Sequence, residues 1–437
     1  MQKRVKRRPT IGKRKTSTVK EHTVGELYLY GVAGIIGLGI LVLPVFIALF
    51  YGGPLSVYLV IGAGFIALLI AILIYDISLT HSHDPYRFLK ETLGKEYSFI
   101  FGFLLLVSFI ITITAAGIAS VGELSLYFGL NIYLSIAIVD IAFLLMWGLL
   151  SYNRTGHTIS GLIKIFFVAL LIIIGLVAVA THGSNPINSQ APFASLTGLV
   201  PISLALLVLL WMYGGFEGIS IAYNGKDRSK VARALIYTMF TLIVIFTLIQ
   251  FFVYETGGGL TSGAIQLNLT SVFTTNVITS SFSSLLQEII IGLSIVVILT
   301  MAFTLMNSSS KTLNDMAKDG LMPRFLVGNQ NMKLLVAAAV PIFLITIFSN
   351  ILTIIPGTLF VYIPIIILSA LSFAAAFAFF AIGYGFHYTK SKTPARSLFG
   401  FFVGLLLIAL ILLSPVSFLI GLGIIIAIAI IGYILLR

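Results

Sequence analysis

Twelve apolar stretches follow one another along this chain, each about long enough to cross a lipid bilayer. A helix needs roughly 20 apolar residues to span the hydrocarbon core. Candidate spans fall at 24–50, 55–80, 97–126, 132–150, 158–181, 197–222, 231–254, 284–309, 334–354, 357–386, 398–413 and 415–436. Composition removes a soluble core as the alternative. Of the 437 residues, 59% are hydrophobic and only 9% charged, whereas a soluble domain carries about a quarter charged residues. With a mean hydropathy of +1.11, the apolar faces must meet lipid. The alternating pattern of transmembrane barrels is absent, so the expected fold is an all-α integral membrane protein.

Charge placement tests the count. With the N-terminal tail set inside, 25 of the 26 lysines and arginines fall on that tail or in the segments that a twelve-helix path returns to the same side. The exception is Lys164, within the fifth span. The positive-inside rule therefore predicts a multi-pass protein of the cell membrane with both termini cytoplasmic. Residues 1–23 form a basic cytoplasmic tail, and nine basic residues lie in 1–20, leaving 17 against 14 acidic ones elsewhere. Such a tail resembles a nucleic-acid patch, but a topology determinant touching anionic membrane lipids accounts for it more simply. No nucleic-acid partner is expected. No apolar stretch with a small-residue cleavage site precedes the first span, so no removable leader is evident. The absence of cysteine removes disulfides, thiolate metal sites and cysteine nucleophiles, and no cofactor is expected.

Two loops on the outer side are long, 181–193 and about 255–283, and the second contains the triplet Asn268-Leu269-Thr270, a weak glycosylation signal. Inside, HSHDPYRFLKETLGKEY (81–97) is amphipathic and reads as an interfacial helix. NGKDRSKVARA (224–234) and KTLNDMAKDGLMPRF (311–325) read as charged cytoplasmic ends of adjoining helices.

Span one carries four glycines in nine positions, GVAGIIGLG, at Gly31, Gly34, Gly37 and Gly39, followed by Pro44. Each glycine costs a helix about 0.5–1 kcal/mol relative to alanine. Span six repeats the device in WMYGGFEGIS (211–220), with an acid, Glu217, inside the membrane. Gly37 and Gly215 stand 178 residues apart, five spans along. Five is odd, so a second unit would lie inverted relative to the first. Residues 24–181 (helices 1–5) and 197–388 (helices 6–10) would then be inverted repeats, with helices 11–12 (398–436) appended. Paired interrupted helices in corresponding positions point to the binding site of a secondary transporter. Breaking a helix in lipid frees backbone groups that need partners. N–H donors at the start of a half-helix suit a carboxylate, and freed carbonyls suit an ammonium, so two such breaks fit a zwitterion. The competing reading is close helix packing through small residues. Glu217 favours the cavity, because intramembrane acids are functional by default.

Several motifs here resemble amino acid permeases of the amino acid–polyamine–organocation (APC) superfamily. IIGLGILVLP (35–44) is similar to the family's first-helix signature, and YDISLTHSHDPYRFLKETLG (75–94) to its helix 2–3 junction. WMYGGFE (211–217) resembles the helix 6 run, and NSSSKTLNDMAKDGLMPRF (307–325) the segment after helix 8. The four occur in order and cover about 24 to 390. The resemblance implies a LeuT-like 5+5 inverted repeat with discontinuous helices 1 and 6. It implies that backbone at Ile36, Gly37, Leu38, Gly39 and Ile40 holds the substrate carboxylate, and that the opened stretch Tyr213, Gly214, Gly215 and Phe216 takes the amine. Leu38 departs from the family pattern, where a small or hydroxylated residue separates the glycines, so the pocket is expected to be narrower or more apolar. Trp211 matches an aromatic lid and, with Glu217, is the expected gating element; packing is the other reading for Trp211.

Lys164 lies about six residues into span five, roughly 9 Å at 1.5 Å per residue. A lysine within a span costs about 2.5–3.5 kcal/mol. Either its stem snorkels to the cytoplasmic face, or it sits where sodium-coupled relatives hold their cation, as the resemblance implies for proton-coupled members. Proton coupling is the expectation carried forward. Glu123 and Asp140 flank the 3–4 loop and Glu26 opens the first helix; each is expected to serve packing or gating. Asp76 is expected to pair with a cytoplasmic base, and His81 and His83 to be interfacial bystanders.

The expected function is a secondary active transporter moving amino acids by alternating access, with proton symport as the coupling. An amino acid exchanger or a polyamine carrier is the alternative, although a polyamine pocket would call for acids beyond Glu217. From another class, a channel or receptor remains open. An enzyme is not expected: HExxH, GxSxG and P-loop patterns are absent.

Overall fold

The computed structural model describes residues 22–436 apart from 52–53, 83, 151–153, 183, 185, 187–198, 224–226, 257–282, 328–329 and 355–358. Nearly all of the basic tail, the Asn268 triplet, His83 and much of both long loops therefore lie outside the described residues. The described elements are α1 (Val24–Ile35), α2 (Leu38–Tyr51), α3 (Leu55–Thr80), α4 (Pro85–Leu93), α5 (Lys95–Tyr127), α6 (Ile132–Leu150), α7 (Arg154–His182), α8 (Leu199–Met212), α9 (Glu217–Ala222) and α10 (Ser229–Thr256). They continue as α11 (Ser283–Lys318), a 3₁₀ turn at Arg324–Leu326, α12 (Gln330–Ile354), α13 (Leu359–Lys390), α14 (Pro394–Leu412) and α15 (Val416–Leu436). No strand occurs among the described residues. Among the described residues, eight of these helices and the interrupted stretch through α8 and α9 (Pro201–Ile221) are long and apolar enough to cross a membrane, and the bent pair α1–α2 passes the same test jointly. Shorter apolar stretches lie in α6 (Ile132–Met146) and α12 (Ala338–Ile351). The described residues form an all-helical, multi-pass membrane protein.

Local chemistry sets the ends that matter. Thr23 caps α1 in a reciprocal box: its hydroxyl accepts from the Glu26 N–H at 3.2 Å, and Glu26 Oε2 accepts from the Thr23 N–H at 2.7 Å. Glu26 is thus a helix-starting residue. Asp84 caps α4 by accepting from the Tyr86 N–H at 3.0 Å, and Pro85 occupies the first turn, where a missing N–H is harmless. In α2, Pro44 interrupts the backbone ladder, and its carbonyl accepts from buried Gln250 Nε2 of α10 at 3.1 Å.

Lipid offers no hydrophobic gain for bringing helices together, so packing rests on close backbone approach. Helix α3 packs along α10, and α5 along both α11 and α13. Gly400 and Gly404 of α14 lie against α13 so closely that a methyl at Gly400 would stand 2.8 Å from the Ala381 carbonyl oxygen. Gly161 does the same for α7 against α1, where a methyl would come 2.5 Å from the Leu29 carbonyl oxygen.

Hydropathy ends the eighth span at 309, but α11 continues to Lys318. The polar extension is held by α4: Arg87 pairs with Asp315 at 3.1 Å, Lys90 with Asp319, and the Tyr86 hydroxyl donates to Asp319 at 2.9 Å. Burial pushes the Asp84 carboxyl up to about 6, against the opposing pull of Arg87. Burial and Asp319 likewise raise the Tyr86 hydroxyl.

Candidate functional site

The two glycine clusters become two helix breaks, and the breaks touch. Helix α1 ends at Ile35; Ile36 turns to an extended ψ of 114°, and α2 restarts at Leu38 with its axis bent by 51°. The second break spans Tyr213 to Phe216, between α8 and α9. There the Tyr213 and Gly214 N–H groups reach the carbonyls of Leu210 and Trp211, tightening the last turn of α8. Gly215 then takes φ of +113°, where an L side chain is strained. A methyl on Gly215 would also lie 2.6 Å from the Gly34 carbonyl oxygen, and one on Gly34 would lie 3.0 Å from that of Gly215. Only glycine permits this crossing of backbones.

Each break has an ionisable side chain on its orphaned groups. Helix α1 stops before the carbonyls of its last turn find intrahelical donors. Lys164 of α7, fully buried, donates from Nζ to one of them, the Ala33 oxygen. The ammonium therefore stands at the negative end of the α1 dipole. It does not snorkel; its head group is turned into the bundle. At the other break both oxygens of buried Glu217 accept from the Gly215 N–H, at 3.0 and 3.1 Å. Glu217 also starts α9, where a carboxylate complements the positive helix end.

A cavity of about 20 Å³ lies at the crossing, lined by Gly34, Ile35 and Gly39 of the first break and by Trp211, Met212, Gly214, Gly215 and Glu217 of the second. Ser108, Phe109 and Thr112 of α5, Met301 and Leu305 of α11 and Phe373 of α13 close it. A single water needs about 10–15 Å³ by this measure, so an amino acid enters only if the walls move apart. Trp211 is 6% exposed, and its indole N–H donates to Thr112 Oγ1 at 2.9 Å. Thr112 in turn stands 2.9 Å from the Ser369 hydroxyl, and Ser108 stands 3.1 Å from it, tying α5 to α13 behind the indole.

Of the expected substrate-contacting residues, the structure brings Gly39, Gly214 and Gly215 to the cavity wall, together with Trp211 and Glu217. Ile36, Gly37, Leu38, Ile40, Tyr213 and Phe216 are not among the lining residues. Ile36, Leu38 and Ile40 are fully buried in the core around α2. Leu38 is not among the side chains lining this cavity. Tyr213 points to α3 and donates to the Val60 carbonyl at 3.1 Å; Phe216 packs with Phe373 and Phe377. Lys164 reaches the first break from behind, through Ala33. Sequence reasoning missed the walls from α5, α11 and α13. Their one cue was hydroxyls at Ser108, Thr112 and Ser369 in apolar helices, and such hydroxyls often only bond back to their own helix.

Other acids have partners elsewhere. Glu123 accepts from Ser294 at 2.7 Å, joining α5 to α11, and Asp140 accepts from Thr346 at 3.3 Å, joining α6 to α12. Asp76 pairs with Arg396 at 3.1 Å and accepts from Tyr384 at 2.8 Å. His81 faces His387 at 3.0 Å between ring nitrogens.

Two broken spans crossing at a small cavity are the arrangement of a membrane protein of the transporter class. The sequence pattern of the amino acid permease family matches residues 26–435, and the chain belongs to that family. It is similar to the branched-chain amino acid permease BcaP of Bacillus subtilis (strain 168), with 24% identity over 253 residues covering 52% of each protein. The chain thus matches about half the length of that curated relative. Its fold is similar to that of the manganese transporter of Eremococcus coleocola. A histidine-to-alanine mutant of that protein superposes with a TM-score of 0.63 at 16% identity, over 95% of this chain and 93% of the other. A complex of the transporter with an aromatic bis-isothiourea compound gives 0.63 at 15% identity, over 94% and 93%.

Proposed function

We propose that this protein is a secondary active transporter that carries amino acids with apolar side chains across the cell membrane by alternating access, coupled to proton symport. The observation that carries the proposal is the cavity where the two breaks cross. Its walls offer the α2 N-terminal end at Gly39 to a carboxylate and backbone at Gly34, Gly214 and Gly215 to an ammonium. Of the side chains completing it, Phe109, Met301, Leu305 and Phe373 are apolar, and the Ser108 and Thr112 hydroxyls are engaged with Ser369. The similarity to a branched-chain amino acid permease supports the same substrate class. A metal cargo, as carried by the manganese transporter, is not favoured: Glu217, the carboxylate in the wall, has both oxygens on the Gly215 N–H, and manganese prefers several oxygen ligands.

The path is proposed to comprise twelve spans with both termini cytoplasmic. Spans 1–5 (24–181) and 6–10 (197–388) form inverted repeats, and 398–436 supplies the last two. Packing supports this arrangement. Shifting by five spans carries the contact of α1 with α7 onto that of α8 with α13, and the contact of α5 with α6 onto that of α11 with α12; the pairs α3–α10 and α5–α11 map onto themselves. The Ile36–Ile40 and Tyr213–Phe216 segments are the proposed substrate backbone, Trp211 with Glu217 the gate, and Lys164 the proton carrier. Exchange without proton movement is the second reading.

The test is uptake into proteoliposomes of a panel of labelled amino acids, with and without an imposed proton gradient. Leucine, isoleucine and valine are expected to accumulate, faster with the gradient. Transport of no amino acid, with movement of manganese instead, would overturn the proposal.

A further inference from the structure

Helix α7 carries a second titratable side chain on the face that bears Lys164. His157 precedes it by seven residues, so the two share one side of the helix about 10.5 Å apart along the axis. Ser160 lies between them, about one turn from each. The face looks onto α1 and α11. The His157 ring stands 4.6 Å from that of Tyr30 and stacks at 5.0 Å on Phe303. Its Nε2 lies 2.9 Å from Asn307 Nδ2. Its Nδ1 and the Ser160 hydroxyl are buried, with no hydrogen-bond partner among the described residues.

Leaving a polar atom buried and unbonded costs about 1–3 kcal/mol, and such atoms are normally satisfied by ordered water. Two of them in succession below a buried ammonium mark a polar trail along an otherwise apolar contact. His157 lies near the start of α7, on the side of the membrane from which Lys164 enters. The trail therefore runs from Lys164 toward the end of the helix assigned to the cytoplasm. The titratable groups facing His157 are Tyr30 on α1, His22 just before α1, and Lys164 on its own helix. From α11 come Asn307 and Phe303, and Lys311 lies one turn further along, in the field of Asp84 and Asp315. Helix α10 meets α7 higher up, where Phe252 packs on Gly175.

We propose that His157 is the exit relay for the proton carried by Lys164, reached through water held beside Ser160; the proposal rests on the proton-symport reading above. One N–H bond of the Lys164 ammonium breaks and its electron pair stays on Nζ. The proton passes through water to the imidazole nitrogen that holds a lone pair, giving an imidazolium. The imidazolium then releases one proton to cytoplasmic water and returns to neutral imidazole. The net change is one proton moved from Nζ to the cytoplasm. Asn307 carries both a donor and an acceptor on its amide, so turning that amide serves His157 in either protonation state. The break at Ile36–Gly37 is thereby linked to the cytoplasm, because loss of the Lys164 proton removes charge from the α1 carbonyl end.

The experiment compares wild type, His157→Gln and Ser160→Ala in proteoliposomes with labelled leucine. Two readouts are taken across external pH: net uptake driven by an inward proton gradient, and exchange of internal for external leucine, which needs no net proton movement. In His157→Gln, net uptake is expected to fall about tenfold or more while exchange stays near wild type, as for loss of an acid–base relay. Ser160→Ala is expected to lose less, about two- to fivefold, with exchange unaffected, since water replaces part of the path. If wild-type uptake ignores the gradient, the symport reading fails and the relay with it. If wild type responds and His157→Gln responds equally with the same pH profile, the relay alone is overturned. Parallel loss of uptake and exchange in His157→Gln makes the residue structural and also overturns it.

Discussion

The two breaks at the centre of the molecule solve one problem in opposite ways. At the first, α1 ends at Ile35 and its orphaned carbonyl at Ala33 is held by Lys164 from a different helix. At the second, the chain opens over Tyr213–Phe216 and the freed Gly215 N–H is held by Glu217, two residues further along the same stretch of backbone. The first clamp is a cation on an acceptor end, delivered across a helix interface. The second is a carboxylate on a donor end, delivered locally. A local clamp moves with its own break, whereas a clamp from α7 is lost if α1 swings away and weakened if the lysine gives up its charge, since a neutral amine still donates but without charge assistance. The first break is therefore the one suited to switching, and the second to keeping its shape.

The largest effect should come from the point where the breaks meet. Gly215→Ala introduces a side chain at φ +113° and 2.6 Å from the Gly34 oxygen, and is expected to destabilise by about 2–5 kcal/mol. Gly34→Ala, with a 3.0 Å approach and helical backbone, should cost clearly less. Thermal unfolding of the purified proteins in detergent measures both; equal stability would remove the claim that the second break is the more rigid. Next comes the switching clamp. Lys164→Ala is expected to abolish proton-dependent uptake, read as flux with and without a pH gradient, and undiminished flux with the same pH profile would reduce the lysine to a structural cap. The smallest effect belongs to the local clamp. Glu217→Gln keeps an oxygen that accepts from the Gly215 N–H and loses the charge-assisted part of the bond, about 1–2 kcal/mol. Its transport is expected to fall modestly with an unchanged dependence on the proton gradient. A lost gradient dependence in Glu217→Gln would reverse the assignment of the two roles.

Much of this was legible along the chain because the physics is local. Spans follow from hydropathy, the interfacial helix α4 from the Asp84–Pro85 start and its amphipathic pattern, and the breaks from the paired glycine clusters around Gly37 and Gly215, five spans apart. Lys164 was conspicuous for the same reason: a charge in an apolar run is visible without any partner. The Ser108, Thr112 and Ser369 hydroxyls, Phe109, Met301 and Phe373 gave no such sign. In an apolar helix a residue facing a cavity and one facing lipid share the same composition, so their roles depend on rotation and neighbours. Leu38 interrupts the glycines in sequence and is fully buried, and the cavity's lining does not include it.

The sequence by itself determined that this chain lives in a membrane as a bundle of helices, where two of them fail, and that one lysine falls within a span. Those outcomes depend on the cost of placing backbone and charge in hydrocarbon, which is set residue by residue. Only the tertiary structure decided that the failures touch through Gly34 and Gly215, that Lys164 meets the Ala33 carbonyl, and that α5, α11 and α13 wall the cavity. Those outcomes depend on how helices distant in sequence rotate and approach, and in lipid that is settled by close packing and not by hydrophobic pattern.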